Sequence, residues 1–480
     1  MIDIFLSLGL LVSFIVTRVL QLTLIPIFTD EAIYLRWSQI MAYDASLRYL
    51  PLVDGKPPLF MWLTSIGLRF FPNLDPLLVI RLVSVGSGLF GLAGIFFTSY
   101  QLFHNKKVSY LSAIFYILIP FTFFYDRFGL ADSLLAGFGI WSLGLGVILA
   151  KKLRLDVALL LGITIGLGLL TKTPALFFYL ILPLGLIWKP KIWKFVGLWL
   201  VVIVLSQSIF SILRLFPLFH MIAQKNAEFS ISLIDFIHHP FTYFISNSIT
   251  LFKWEFGYLT PLVSLIIIFG FITGLFKNTR QTIVLSFLFL AHFAYMSFFN
   301  KSIFPRFLLT FTPGLLILAA VGIEKIPKKF QWGLLGLILL FPIFTDIKLL
   351  FDPPNAPIPD GDSNQYINRW PAGYGINDLR TFFNQESKKY PKITVGTEGT
   401  FGLMPYALQI YQKEYPNVEV KDYWPLPAIL PIELTIAAKS HPTYFIVYQQ
   451  QQDPPWPAHL VAKYQQGKGN DYLRLYRIGQ

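Results

Sequence analysis

The stretch Thr29-Asp30-Glu31-Ala32 places two adjacent carboxylates directly after an apolar run that extends from residue 4 to residue 28. About 20 apolar residues suffice to cross a bilayer as a helix, so this run is long enough for one span. Charged side chains at the end of a span are costly unless they face water or serve a function. The sequence therefore predicts a first transmembrane helix with an acidic pair at one end.

The composition is that of a polytopic membrane protein, since 55% of the 480 residues are hydrophobic, 17% are aromatic and 14% are charged. The chain has no cysteine, which excludes disulfide frameworks and thiolate metal sites. Its formal net charge is +13, but many basic residues lie in short loops between apolar runs. That distribution is typical of membrane orientation and not of a nucleic-acid-binding surface, so we expect no nucleic-acid partner.

Apolar runs occupy the first 350 residues, and we expect about eleven transmembrane helices there. The runs are 4–28, 76–103, 108–125, 129–150, 155–171, 174–188, 195–213, 258–276, 281–299, 307–323 and 330–348. Two of them, 155–171 and 174–188, are short for a bilayer and fit a tilted or partly re-entrant helix. The sequence thus predicts a polytopic α-helical membrane domain over residues 1–350.

Residues 351–480 are richer in polar residues and proline, and they alternate between helix-like and strand-like segments. The expected helices are 377–389, 404–411, 431–438 and 458–466, and the expected strands are 392–397, 418–423, 444–448 and 472–478. This alternation predicts a small α/β domain. Gly396, Gly399 and Gly402 follow the first strand, but their spacing is not that of a nucleotide-binding loop and indicates a turn.

Lysine and arginine are concentrated in alternate loops of the membrane domain. These loops carry Lys106-Lys107, Lys151-Lys152-Arg154, Lys189-Lys191-Lys194, Lys277-Arg280 and Lys325-Lys328-Lys329. Cytoplasmic loops of membrane proteins are the ones rich in basic residues, so we expect these loops and the N-terminus in the cytoplasm. The segment 29–75 and the C-terminal domain would then be extracytoplasmic, in a multi-pass protein of the plasma membrane.

The loops on the predicted outer side carry isolated basic residues, namely Arg127, Lys172, Lys301 and Arg306. The positive-inside rule does not account for basic residues at those places. One interpretation is that their side chains extend toward lipid headgroups. The other is that they gather with the carboxylates and bind an anionic group.

Five short motifs follow one another on the predicted outer side. They are Thr29-Asp30-Glu31-Ala32, Gly55-Lys56-Pro57-Pro58-Leu59-Phe60, Asp126-Arg127-Phe128-Gly129-Leu130-Ala131-Asp132, Gly168-Leu169-Leu170-Thr171-Lys172-Thr173-Pro174 and Phe304-Pro305-Arg306-Phe307. In this order they resemble the GT-C superfamily of glycosyltransferases that use polyprenyl-phosphate sugars. The nearest branches are the protein O-mannosyltransferases and the lipid A aminoarabinose transferases, and the similarity covers residues 10 to 325. The resemblance implies a sugar donor linked to a polyprenyl phosphate and an acceptor protein, glycan or glycolipid.

The resemblance also implies a set of catalytic residues. An acceptor hydroxyl that attacks the anomeric carbon must lose its proton to a positioned base. Asp30 matches the acid of the family's first motif and is the expected base, and its neighbour Glu31 is the second choice. Helical neighbours point about 100° apart, so we expect one of the two to be structural. Asp132 matches the second acid of the family, where it binds sugar hydroxyls or orients Arg127. Its structural alternative is the N-cap of the next helix, a position that Asp favours.

The leaving phosphate gains negative charge, which fixed cations would stabilise. By resemblance, Lys56, Lys172 and Arg306 are expected to bind the lipid phosphate, with Arg127 as a fourth candidate that alternatively pairs with a neighbouring aspartate. The aminoarabinose branch commonly has Glu directly before its Lys-Pro pair, where it helps to hold a metal. This chain has Gly55 there instead. We therefore expect that neither a metal nor another cofactor is required.

The favoured hypothesis is an inverting membrane glycosyltransferase that acts at the outer face. A flippase that moves a lipid-linked sugar without chemistry is the main alternative. That class would have charges at mid-membrane and paired inverted repeats, and the sequence shows neither. A non-catalytic membrane anchor is a further alternative, but it gives no reason for clustered acids and cations on one side.

Overall fold

The computed structural model describes residues 2–479 and begins with a helical membrane domain. Its first eight helices are α1 (Ile2–Val19), α2 (Thr29–Tyr43), α3 (Leu59–Phe70), α4 (Pro76–Phe103), α5 (Lys106–Leu118), α6 (Pro120–Tyr125), α7 (Asp132–Lys152) and α8 (Leu155–Thr171). The next helices are α9 (Ile181–Leu184), α10 (Ile192–Phe210), α11 (Met221–Phe229), α12 (Leu233–His238), α13 (Phe244–Leu259), α14 (Pro261–Lys277), α15 (Thr279–Phe299), α16 (Thr312–Lys325) and α17 (Lys328–Phe351). α2 and α3 lie between the first two apolar runs of the sequence.

Within residues 2–479, five helices are long and apolar enough to cross a membrane. They are α4, α7, α10 with its continuation to Leu215, α15 and α17. α13 and α14 are bent by 101° at the short break between them. If the two helices form one broken span, they add a sixth. The protein is thus a multi-pass membrane protein, and the count of about eleven spans stays a prediction.

The first apolar run is only partly helical. α1 ends at Val19, and residues 20–28 form turns and extended chain before α2 begins at Thr29. The prediction that the run is one helix to Phe28 was therefore wrong at its end. This non-helical segment brings the acidic motif to the start of α2 instead of the end of α1.

Close backbone contacts fix the helices that carry the later motifs. A Cβ atom on Gly270 of α14 would lie 1.9 Å from the carbonyl oxygen of Leu318 in α16. Small residues allow membrane helices to approach backbone to backbone, which strengthens their packing. The short 3₁₀ helix Pro305–Thr310 leads into α16, so this contact also fixes the position of that helix.

The C-terminal domain is built on a five-stranded mixed sheet with the order β2-β1-β3-β5-β4. The strands are β1 (Ile393–Glu398), β2 (Val418–Tyr423), β3 (Thr443–Val447), β4 (Ala458–Gln465) and β5 (Tyr472–Ile478). β1 pairs in parallel with β2 and β3, whereas β3–β5 and β5–β4 are antiparallel. The helices of this domain are α18 (Asp360–Ser363), α19 (Ile376–Ser387), α20 (Leu403–Ile410) and α21 (Ile432–Ser440). The expected mixture of helices and strands is confirmed.

One element of this domain was predicted wrongly. The segment 458–466 was expected to be a helix, but it forms the edge strand β4. Its pairing with β5 shifts register between Leu460 and Ala462, which indicates a bulge or irregularity. A bulge adds a residue to one strand and so interrupts the alternation that identifies strands in a sequence.

The C-terminal domain rests on the segment that follows α1. The backbone N–H and the hydroxyl of Thr29 both donate to the carbonyl oxygen of Pro371, at 3.2 and 2.9 Å. Gln39 of α2 donates to the carbonyl oxygen of Ile410 at 3.0 Å. These contacts place the C-terminal domain directly beside the acidic motif.

Candidate active site

A cavity of about 820 Å³ lies beneath the C-terminal domain. Its wall includes the charged side chains Asp30, Asp54, Lys56, Lys172, Lys225 and Arg306. Trp370, Phe401 and Gly402 of the C-terminal domain line the same cavity. A concave site of this size with a few convergent polar groups has the character of a ligand-binding site.

Asp30 stands at the centre of the cavity's charged wall. Its Oδ2 atom lies 2.8 Å from Arg306 Nη1, and its Oδ1 atom lies 3.7 Å from Lys56 Nζ. Nearby, Lys172 Nζ donates to Asp132 Oδ1 at 2.7 Å. We call Asp30, Lys56, Asp132, Lys172 and Arg306 the charged centre. These five side chains come one from each of the five sequence motifs, and the fold brings them together.

The cations of the charged centre control the ionisation of Asp30. Burial raises the pKa of Asp30, but Lys56, Arg306 and Lys172 outweigh it and hold the pKa well below its usual range. Burial lowers the pKa of Lys172, and the adjacent Asp132 carboxylate partly offsets that effect. Asp30 is therefore ionised at neutral pH.

Lys56 is held by a second carboxylate and two aromatic rings. Asp54 Oδ2 lies 3.2 Å from Lys56 Nζ, and the ammonium group lies 4.9 Å from the centroid of the Tyr34 ring and 5.8 Å from that of Trp37. Asp54 also binds Lys225 Nζ at 2.9 Å. Sequence reasoning gave no role to Lys225, because a lone basic residue in a long loop does not show which motif it will contact.

The segment that begins the C-terminal domain supports Arg306. The Tyr366 hydroxyl lies 3.5 Å from Arg306 Nη1, and Gly361 packs so closely that a Cβ there would be 2.9 Å from Pro305 Cγ. The neighbouring Asp362 is fully buried and accepts a 2.6 Å hydrogen bond from Tyr125. This segment thus packs against the loop that carries Arg306 and helps to fix the position of the guanidinium group.

Glu31 does not face the cavity. Its carboxylate pairs with Arg81 at 2.7 and 2.9 Å and accepts the backbone N–H groups of Phe28 at 3.0 Å and Gly129 at 2.6 Å. Both side chains of the pair are buried. Glu31 is therefore a structural residue that connects the start of α2 to α4 and to the segment before α7. The geometry does not support the prediction that Glu31 is catalytic.

Arg127 is also directed away from the cavity. Its guanidinium donates to the carbonyl oxygens of Thr17, Arg18, Leu20 and Gln21 at 2.8–2.9 Å. The last carbonyls of a helix have no partner within the helix, and these lie at the end of α1. Arg127 caps that helix end, and the structure does not bring it to the phosphate-binding position expected from the sequence.

The other side of the cavity is largely apolar. The segment Thr173–Leu180 contributes Leu176, Phe177 and Leu180 to the wall. Leu176 is also 53% exposed, so the cavity reaches the outer surface of the helical domain there. The cavity therefore combines a charged end with an apolar end that opens beside the membrane helices.

The charged wall has little capacity to hold a metal ion. Among residues 2–479, no group of three or more His, Asp or Glu side chains is arranged to ligate one. The carboxylates of Asp30, Asp54 and Asp132 already form ion pairs with lysine or arginine. Independence of metal and of other cofactors stays a prediction.

Part of the chain matches a known protein family. Residues 55–214 match the family described as dolichyl-phosphate-mannose-protein mannosyltransferase. A search of curated proteins finds no match. The matched segment contains Lys56, Asp132 and Lys172 of the charged centre.

Solved structures share the fold. ArnT from Cupriavidus metallidurans bound to undecaprenyl phosphate is similar with a TM-score of 0.62 and 15% identity, over 99% of this chain and 97% of that one. Its apo state gives 0.59 and 16% over the same shares. The apo oligosaccharyltransferase of Archaeoglobus fulgidus gives 0.52 and 10%, over 92% of this chain and 69% of that one. The family model thus matches residues 55–214, and the ArnT structures share the fold over nearly the whole chain.

Proposed function

We propose that the protein transfers a sugar from a polyprenyl phosphate to an acceptor hydroxyl of a protein, glycan or glycolipid at the outer face of the membrane. The observation that carries the proposal is the position of Asp30 between Lys56 and Arg306, at the charged end of a cavity whose other end is apolar. A polyprenyl-phosphate sugar has the same division, with a charged phosphate, a polar sugar and a long hydrocarbon tail. The similar ArnT structure contains undecaprenyl phosphate.

The donor phosphate would bind to Lys56, Lys172 and Arg306. These cations face one cavity and come from separate parts of the chain, so they can contact different oxygen atoms of one phosphate. Fixed donors that stabilise developing negative charge are each worth about 3–4 kcal/mol of barrier in other enzymes. The cations would therefore both bind the donor and stabilise the phosphate as it leaves.

Asp30 would act as the base. The acceptor oxygen attacks the anomeric carbon, the bond from that carbon to the phosphate oxygen breaks, and the phosphate leaves with the electron pair. The acceptor proton goes to Asp30, and attack from the face opposite the phosphate inverts the anomeric configuration. The donor phosphate competes with Asp30 for Lys56 and Arg306, so its binding makes the carboxylate a stronger base.

Asp132 would keep Lys172 charged. Burial disfavours the ammonium form of Lys172, and the carboxylate at 2.7 Å opposes that effect. Asp132 is in this proposal a positioning residue and not the base. The polyprenyl tail would leave the charged centre along Phe177 and Leu180 and pass out beside Leu176, where the wall is apolar.

The test uses the purified full-length protein in lipid nanodiscs with undecaprenyl-phosphate sugars and candidate acceptors. Asp30→Asn should abolish loss of the donor sugar, and it should bind undecaprenyl phosphate at least as tightly as wild type because Lys56 and Arg306 then lose one carboxylate that competes with the phosphate. Asp235→Asn, at an exposed carboxylate that forms a hydrogen bond with Ser232, is the control and should remain active. Full turnover in Asp30→Asn would contradict the role of the base.

The flippase alternative gives a different result in proteoliposomes. A flippase moves the lipid-linked sugar across the bilayer and leaves the sugar–phosphate bond intact. Transport by wild type without cleavage of that bond, in the presence of every acceptor class, would overturn the proposed transfer.

A further inference from the structure

The turn between β1 and α20 presents an aromatic side chain to the cavity. Phe401 lines the cavity wall and is 44% exposed, so its ring is accessible to a ligand. Gly399 and Gly402 flank it with φ angles of 106° and 131°, which residues other than glycine rarely adopt. The backbone N–H of Gly399 donates to the carbonyl oxygen of Tyr423 at 2.7 Å. The turn therefore holds Phe401 in a defined position.

This turn approaches the chain directly beside the proposed base. A Cβ atom on Gly402 would lie 3.4 Å from Cγ2 of Thr29, the residue that precedes Asp30. Thr29 also donates to the carbonyl oxygen of Pro371, and the preceding residue, Trp370, is partly exposed and lines the cavity. Two aromatic side chains of the C-terminal domain thus reach the cavity beside the segment that carries Asp30.

The donor accounts for the other parts of the cavity wall. In the proposed function, the cations of the charged centre bind the phosphate, and the apolar side formed by Thr173–Leu180 receives the polyprenyl tail. The acceptor must bring its hydroxyl to Asp30 without displacing either part of the donor. The C-terminal domain provides wall beside Asp30 that the donor does not use. We call Phe401 and Trp370 the aromatic lip.

The chemistry of this wall favours a neutral sugar ring. Among residues 351–479, the residues that line the cavity are all uncharged, namely Gln365, Trp370, Pro371, Phe401 and Gly402. One face of a pyranose consists mainly of C–H groups, which pack well on the negative face of an aromatic ring while the hydroxyls point outward. A peptide would instead place backbone N–H and C=O groups against the rings, where they lose their hydrogen bonds to water.

We propose that the aromatic lip binds the acceptor, and that the acceptor group is a neutral sugar ring carried by a glycan or a glycolipid. This inference rests on the proposed function and adds to it the chemical class of the acceptor. The ring packs against Phe401 and Trp370 with one hydroxyl at Asp30. Asp30 takes the proton as the hydroxyl oxygen bonds to the anomeric carbon of the donor, and the phosphate leaves with the electron pair of the broken bond.

The first test measures acceptor KM and donor KM separately on the full-length protein in nanodiscs. It uses the undecaprenyl-phosphate sugar and the acceptor that wild type consumes fastest. Phe401→Ala should raise acceptor KM about threefold to tenfold, the range of one aromatic contact, and leave donor KM unchanged. Trp424→Ala is the control, because Trp424 is 50% exposed on the same domain and lies outside the wall of this cavity.

Two further variants separate a flat ring from a merely apolar side chain. Phe401→Leu keeps an apolar side chain without a ring, so it should raise acceptor KM as Phe401→Ala does. Phe401→Tyr keeps the ring and should keep the wild-type acceptor KM. A wild-type acceptor KM in Phe401→Leu would show that no flat ring is needed, and it would overturn the inference.

A second measurement needs no variant. Wild type is offered a neutral oligosaccharide, a glycolipid that ends in the same sugar, and an uncharged peptide rich in serine and threonine, at equal concentrations. The oligosaccharide or the glycolipid should receive the donor sugar about tenfold faster than the peptide, and the faster of the two identifies the source of the ring. Preferential transfer to the peptide would overturn the inference and leave the proposed function standing. Transfer to none of the three would instead contradict the proposed function.

Discussion

Arg306 Nη1 lies 2.8 Å from Asp30 Oδ2, and this ion pair joins the first turn of α2 to the 3₁₀ helix that precedes α16. The two residues belong to motifs at opposite ends of the membrane domain. Their contact brings distant segments into one site, and it favours the ionised form of Asp30, the proposed base. Four predictions follow from this arrangement and its supports.

The shape of the Arg306 side chain should matter as well as its charge. Arg306→Lys keeps the charge but loses the planar fork that binds two oxygens at once, so we expect donor KM to rise about tenfold. Arg306→Ala should raise it further. Lys301→Ala is the matched control, because Lys301 is exposed on the same loop and its ammonium group donates to the carbonyl oxygen of Ala227. An unchanged donor KM in Arg306→Ala would contradict the phosphate assignment.

Asp132→Asn should change the pH profile of donor use. Binding requires the charged form of Lys172, which is lost as the pH rises through the pKa of Lys172. Burial already lowers that pKa, and loss of the Asp132 carboxylate lowers it further. The alkaline limb of kcat/KM should therefore move to lower pH in Asp132→Asn. Adding Lys172→Arg should move the limb back, because arginine stays charged. An unshifted alkaline limb would show that Asp132 does not keep Lys172 charged.

The Glu31–Arg81 pair should affect stability more than catalysis. Glu31→Ala leaves the buried Arg81 guanidinium without its carboxylate, which typically costs about 3–5 kcal/mol of unfolding free energy. We expect a large fall in Tm in detergent, with donor KM unchanged in the protein that remains folded. Asp3→Asn is the control, because its ion pair with Lys106 is more than half exposed and should contribute little. A normal Tm with lost turnover would instead support the original prediction of a catalytic Glu31.

Gly361 should be needed for the position of Arg306. A Cβ there would lie 2.9 Å from Pro305 Cγ and from the Trp254 ring, so Gly361→Ala must shift its own segment, the Trp254 ring or Pro305, which directly precedes Arg306. We expect donor KM to rise about threefold to tenfold, in line with one weakened hydrogen bond. Gly336→Ala is the control, since a Cβ at that position in α17 meets nothing within 4 Å. A donor KM that is equal in the two variants would contradict the positioning role.

Much of this architecture could be predicted from the sequence. The lengths of the apolar runs identified the membrane domain. The predicted strands 418–423 and 472–478 have the same bounds as β2 and β5. Five of the seven predicted site residues lie in the charged centre. Short motifs of charged and small residues in fixed order carry that information, because each lies close to a helix terminus.

The two remaining site residues show what a sequence leaves open. Asp30 and Glu31 are neighbours on α2, and only the packing of that helix decides which carboxylate meets the cavity. Arg127 could not be assigned because its partners are backbone carbonyls at the end of α1. The apolar run continues to Phe28, so its composition does not reveal that the helix ends at Val19.

The contact between Thr29 and Pro371 has a consequence for biogenesis. Thr29 precedes the proposed base, and its partner belongs to a part of the chain that the ribosome makes last. The nascent protein would insert its helices long before this contact forms. A product truncated after α17 should therefore reach the membrane without this contact, and the proposed glycosyl transfer should begin only once the C-terminal domain has folded against α2.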